Sequence, residues 1–365
     1  MRKQYKKEIR RRKRKLWRKY KIDLEDPKAA AKYVKIVQGV STHDVSTFKK
    51  MNGTYTLPGM ETADFLLDSH FPEASPIRSV RHQHVARSSR EIEELCEEWI
   101  TPDLVIGALR KFKAKKSPGP DGLKPVIFPY LSKTVVATIT FLYKACIALH
   151  YTPIKWRESK VIFIPKPGKP TYDSPKSFRP ICLSNYLLKG MERLAVLRMD
   201  VKIKSNPIHS RQHGFRSDRS TETAISEVAS YIEKHTMTRQ FCVGVFLDIR
   251  GAFDNIRPQC VYDALKKHGV DKDLADWYLD YLLHRDLFYT LGGITTSRTI
   301  SRGFPQGGVA SAKFWLLAFD GAVEMINSQD IKGTAFVDDC SGLYGGRSMG
   351  HVGTAKCSAH AGQIN

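Results

Sequence analysis

Three aspartates carry the most suggestive chemistry in this chain. Asp338 and Asp339 stand side by side in "KGTAFVDDCSGLYGG" (332–346), a run otherwise made of apolar and small residues. Such a run reads as two short strands with the acids at the turn between them. Two carboxylates buried together with no Lys or Arg nearby are costly unless a cation joins them. Asp248 ends the apolar strand pattern of "QFCVGVFLD" (240–248). Taken alone, it fits a turn cap as well as a site. If both strands belong to one sheet, the three acids converge. Three acids with no basic neighbour suit two Mg²⁺ ions about 4 Å apart, which activate an attacking hydroxyl and stabilise a leaving oxygen in phosphoryl transfer.

Three further stretches hold candidate side chains. In "ISRGFPQGGVASAKFWLLAFD" (300–320), Gly303, Pro305, Gly307 and Gly308 predict a turn where backbone approaches a ligand closely, followed by an apolar helix. Gln306 is the one side chain of that turn able to hydrogen-bond a base or sugar; the bland alternative is a loop-to-helix junction. In "WRESKVIFIPKPGKPTYDSPKSFRPICLSN" (156–185), a strand runs into a basic loop with Lys166, Lys169 and Arg179. Such a loop suits a triphosphate, or is a solvated hairpin. "RQHGFRSDRSTETAI" (211–225) puts Arg211, Arg216 and Arg219 just ahead of a helix start. They bind phosphate there, or decorate a surface.

These residues need a scaffold. From about Ser89 onward, helical patterns such as "REIEELCEEWITPDLVIGALRKF" alternate with strand-like apolar runs, which argues α+β or α/β. Pro258 sits in the first turn of a helix over "QCVYDALKKHG". "TVVATITFLYKACIAL" (134–149) is too short to span a bilayer and holds Lys144, so it predicts a core helix. The 365 residues, 42% of them hydrophobic, have room for two domains and a sizeable core.

Charge points to the partner. Lys and Arg number 59 against 37 acids, a net +22 that favours a polyanion, nucleic acid before membrane. Half of it lies in the first twenty residues, with twelve Lys/Arg and one Glu. That segment reads as a solvated tail, or as a phosphate-attracting arm, a nuclear-import signal or both. The seven cysteines form no CxxC pair and no zinc-type Cys/His spacing, the pattern of reduced thiols in an intracellular protein. No signal peptide opens the chain.

Taken in order, "SPGPDGL", "IPKPGK…SFRPICLSN", "QHGFRSDRST", "FLDIRGAFD", "GFPQGG" and "FVDD" resemble the reverse transcriptase domain of non-LTR (LINE-type) retrotransposons. Each motif alone is weak to moderate; six in one order are specific. The resemblance covers roughly 111–344. It implies an α+β right-hand fold of polymerase fingers and palm, the palm an antiparallel sheet backed by helices. It assigns the catalytic and metal-holding role to Asp248, Asp338 and Asp339. It makes Phe253 the aromatic gate against a ribose 2′-hydroxyl and Gln306 a contact to the incoming nucleotide. Lys166 and Arg179 would hold its triphosphate, with Lys160 and Lys169 as weaker candidates.

The same resemblance implies Mg²⁺, with Mn²⁺ as a substitute, an RNA template, a DNA primer or target, deoxynucleoside triphosphates, no membrane, and the nucleus as site of action. It divides the chain into a basic lead-in (1–90), fingers with part of the palm (91–240), catalytic palm (241–344) and an irregular tail (345–365). Three departures stand out. Phe336-Val337 replaces the usual Tyr-Ala, "GVASAKFW" brings Lys313 into the helix after the Gln306 turn, and no thumb counterpart follows. A chain active in RNA-directed DNA synthesis is therefore one expectation, and a catalytically silent nucleic-acid-binding remnant the other. A metal-dependent nuclease also uses clustered acids, but explains neither the basic loop nor the Gln306 turn.

Overall fold

The computed structural model describes residues 47–71, 86–249, 251–327 and 331–347. The basic segment 1–20 and the tail from 348 lie outside the described residues.

Polar caps decide where several helices begin. Helix α1 is Met60–His70. The single helical pattern over 90–112 is in fact two helices, α2 (Ser89–Leu95) and α3 (Pro102–Arg110). Ser88 and Glu91 form a capping box at the start of α2. Thr101 caps α3 and Pro102 takes its first position, where no amide hydrogen is needed. The expected core helix is α4 (Lys133–Ala148), capped by Ser132. Then follow α5 (Tyr186–Lys202), α6 (Thr221–Met237), α7 (Pro258–Lys267), α8 (Lys272–Leu283) and α9 (Ser311–Asn327). Helices α3, α4, α5, α7, α8 and α9 enclose the main core, around Tyr143, Trp277, Tyr278 and Phe314.

Among the described residues, seven strands form two sheets. Strands β1 (Glu158–Pro165), β2 (Phe178–Ser184), β4 (Arg285–Leu291) and β5 (Ile294–Ile300) make the first, in the order β2-β1-β4-β5. Only the β1–β4 pairing is parallel. One face packs on α1 through a second core of Phe48, Leu66, Leu67, Phe178 and Leu287. The other sheet, in the order β3-β7-β6, joins β3 (Phe241–Leu247), β6 (Lys332–Phe336) and β7 (Asp339–Gly346), antiparallel throughout. This is the α+β class expected. After β3, α7 and α8 carry the chain back, so that β4 pairs with β1. None of the helices among the described residues is long and apolar enough to cross a membrane.

Candidate active site

The two acid-bearing strands are neighbours. Strand β3 pairs with β7 up to Leu247 opposite Cys340. One step further in that register puts Asp248 beside Asp339. Asp338 is in the two-residue turn between β6 and β7, closed by Phe336 opposite Asp339. The Asp338 carboxyl is pushed up by burial and by the charges of Asp339 and Asp248, against a backbone hydrogen bond that lowers it. Mutual repulsion of this kind is what three acids sharing one space produce. The pair is not buried as its apolar surroundings suggested: Asp339 and Asp248 are exposed and Asp338 is half-buried. None of the three has an ion-pair partner among the described residues. Nor do these residues close into a preformed metal cage there.

The turn that presents Asp338 is strained and tied down. Val337 has φ 62°, a left-handed conformation unfavourable for a β-branched side chain. Gln212, fully buried, accepts from the Val337 amide at 3.1 Å and donates to its carbonyl at 3.3 Å. The Trp315 indole donates to the same carbonyl at 2.9 Å. A Cβ on Gly214 would meet the Val337 amide nitrogen at 2.5 Å, so only glycine lets this segment approach. Gln212 is adjacent to an arginine singled out from the sequence, yet nothing local marks it; its partner lies 125 residues away.

Gln306 sits between β2 and the short helical turn Ala252–Asn255. Its carbonyl accepts from the Cys182 amide of β2 at 2.7 Å, and its side-chain amide donates to Asp254 at 2.7 Å. The Gly303 amide donates to Ile256 at 2.8 Å and that of Phe304 to Phe253 at 2.6 Å. The close approach expected of these glycines is thus to protein backbone: a Cβ on Gly303 would lie 2.5 Å from the Asp254 carbonyl, and one on Gly307 2.8 Å from that of Cys182. Phe253 is half-buried and stacks on Trp315, with ring centroids 5.3 Å apart. Behind the turn, the fully buried Glu192 accepts from the Val309 amide at 2.9 Å, and burial pushes its carboxyl up to about 7. Sequence reading passed over Asp254 and Glu192. Asp254 was visible in "AFD" but undistinguished from a capping acid.

The basic candidates divide. Lys166 and Arg179 meet at the β1–β2 hairpin tip, where Pro165 pairs with Phe178. Burial lowers the Lys166 pKa, and the charges of Arg179 and Lys169 lower it further. Lys160 is mid-strand, opposite Leu183, away from that tip. Arg216 donates to the carbonyls of Ile208, His209 and Gln212, a structural clamp. Arg211 and Arg219 both approach Glu227 of α6, at 3.8 and 3.5 Å. Lys313 pairs with Asp200 of α5 at 2.6 Å, so its charge is compensated. Between α6 and the acid-bearing sheet lies a cavity of about 480 Å³, lined by Ile225, Val228, Phe246, Asp248 and Asp339 among others.

Residues 164–354 match the family model of reverse transcriptase (RNA-dependent DNA polymerase). The chain belongs to the reverse transcriptase family. It is 27% identical over 307 residues to the retrovirus-related Pol polyprotein from type-1 retrotransposable element R1 of Bradysia coprophila, a match covering 82% of this chain and 29% of that protein. It is also 27% identical to the RNA-directed DNA polymerase from mobile element jockey of Drosophila melanogaster, over 71% of this chain and 30% of that one. The chain thus spans about a third of the length of these relatives. They agree with the non-LTR assignment that the motif order implied.

Proposed function

We propose that this chain adds deoxynucleotides to a DNA primer on an RNA template, the reaction named for its polymerase relatives. The observation that carries the reading is the convergence of three acids, without an ion-pair partner among the described residues, at the ends of neighbouring strands. In this reading the acid-bearing sheet is the palm and the four-stranded sheet belongs to the fingers. Asp248, Asp338 and Asp339 would hold divalent metal. An all-carboxylate donor set with no protein counter-charge fits a hard cation, Mg²⁺ or Mn²⁺. When bound, the metal would supply charge neutralisation and Lewis acidity to phosphoryl transfer.

The chain's own residues do the rest. Lys166 and Arg179 meet the triphosphate, Gln306 orients the nucleotide, and Phe253, held by Trp315, limits the space for a 2′-hydroxyl. Arg211 and Arg219 are the candidates to contact template or primer phosphate, with Glu227 as their partner in its absence. The net charge of +22 supports nucleic-acid partners, and the basic segment 1–20 supports action in the nucleus. A reporter fused to that segment should accumulate in nuclei; an even distribution would remove that part of the reading.

Primer extension on an RNA template tests the whole. We expect addition with Mg²⁺ and none with chelator. Binding of primer–template without any addition, under matched metal, would replace this reading with that of a silent nucleic-acid-binding relative.

A further inference from the structure

The backbone of Gln306 has little freedom. Its carbonyl is fixed by the Cys182 amide, and Gly303 and Gly307 pack directly on the backbones of Asp254 and Cys182 on either side. What is left to set is which end of its carboxamide faces the site. That end is set by Asp254. An ionised carboxylate only accepts, so the Gln306 nitrogen must turn toward it, as the 2.7 Å bond shows. A flipped amide would put two oxygens in contact.

We propose that Asp254 is a positioning residue for nucleotide selection: its carboxylate locks the Gln306 carboxamide so that an oxygen acceptor, not a nitrogen donor, faces the incoming nucleotide. The inference rests on the polymerase reading and adds a residue to it. It selects for nucleotide groups that bring an N–H or O–H to that place. The charges around Asp254 are all cationic: Lys166 at the end of β1 and Arg285 at the start of β4. Lys166 in turn neighbours Arg179 and Lys169. Asp254 thus also ties the Gln306 turn to the basic tip that faces the triphosphate. Burial pushes its carboxyl up to about 6, so the lock weakens on mild acidification. A protonated Asp254 hydrogen-bonds either end of the amide, and the orientation is lost.

The test uses the full chain on an RNA template with a DNA primer. Asp254→Ala and Gln306→Ala should each raise KM for the next deoxynucleotide about tenfold and leave kcat within about threefold, as expected for one lost oriented hydrogen bond. The double variant should be no worse than either single one, because the two residues act as a unit. The Kd of the next nucleotide on a chain-terminated primer complex with Ca²⁺ should shift in parallel. Wild-type KM should rise as pH falls through about 6, and this step should vanish in Gln306→Ala and in Asp254→Asn. Additive effects, or a pH step that persists in Gln306→Ala, would overturn the proposal. Should Asp254→Ala fail to fold, Gln306→Ala decides on the pH step alone. Wild type that extends primers with KM unchanged in the variants removes only this role. Wild type that adds no nucleotide removes the polymerase reading beneath it.

Discussion

The two sheets differ in what covers them. In the four-stranded sheet, Val161, Phe178 and Leu287 are sealed under α1 with Phe48 and Leu66. In the three-stranded sheet, β7 and β6 are largely buried, but β3 is open along its edge and exposed on both faces. Phe241, Val243, Val245, Phe246 and Leu247 are all among the exposed large hydrophobics. Charge follows the same divide. The sealed sheet carries cations at the loop end of β1 and β2, and the open sheet carries three acids with no ion-pair partner among the described residues. Stability is therefore concentrated in the four-stranded sheet and the helical core, while the three acids stand on the other sheet. The strands of the acid-bearing hairpin pack into the core through Ala335 and Cys340, and its exposed turn is tied by directional bonds from Gln212 and Trp315.

The largest effect that would sharpen this contrast is Asp338→Asn. The substitution keeps size and removes one charge from a repelling cluster. Nucleotide addition should fall on the order of 10³-fold or more, because a metal site depends on its ligand charge. The melting temperature should not fall, because the ionised carboxylate is disfavoured by its surroundings in the folded state. Equal addition by both proteins would show that Asp338 is no metal ligand. A large drop in melting temperature would show that the open sheet is held together by its acids after all.

One residue type placed in both sheets separates them next. Phe178 is 1% exposed and meets Phe48 edge-on at 5.7 Å. Phe178→Ala should cost about 3–5 kcal/mol in urea unfolding, the range for a buried aromatic. Phe246 is 69% exposed. Phe246→Ala should change stability by about 0.5 kcal/mol or less. A cost at Phe246 near that at Phe178 would mean that β3 is covered in solution.

Much of the site could be read from the sequence, and the misses have a common cause. Apolar runs ending in acids marked β3 and the β6–β7 hairpin, and both patterns are found as strands. Pro258 marked the start of α7, and the helix start expected after Arg219 is that of α6. The apolar residues of β3 read as core, yet composition says nothing about what lies over a strand. Lys166 and Arg179 share a hairpin tip as their loop suggested, whereas Arg216 turns inward to three carbonyls. Gln212, Asp254 and Glu192 were missed because burial and a distant partner, not residue type, make them important. The return of β4 to pair with β1 is likewise a long-range pairing that no local pattern encodes.

The smallest expected effect concerns how the open sheet is anchored. Residues 211–213 run along β6: the Ala335 amide donates to Arg211 and the His213 amide to Ala335. The segment before them is fastened by Asp320 of α9, which accepts from the His209 amide at 2.7 Å. His268, following α7, lies 3.4 Å from Asp320 and 2.8 Å from the Asn206 carbonyl. Burial lowers the His268 pKa, but its bonds to Asp320 and Asn206 outweigh burial, and the net shift is upward. Asp320 shifts downward for the converse reason: the His268 and His209 bonds overcome burial. A histidine raised on folding contributes stability in full below its unfolded pKa of about 6.5 and loses it as pH rises through the folded value. An aspartate lowered on folding contributes above its unfolded pKa of about 3.9 and loses it as pH falls through the folded value. The pair therefore stabilises most between these limits. Thermal unfolding between pH 5 and 9 should show stability declining as pH rises above the unfolded histidine value of about 6.5, and His268→Gln should flatten that decline. Because the anchored segment brackets the Val337 turn through Gln212, hydrogen exchange at the Val337 amide should speed up as that stability is lost, beyond its intrinsic rise. Exchange that tracks only the intrinsic rise would mean that Gln212 holds the hairpin independently of the buried pair.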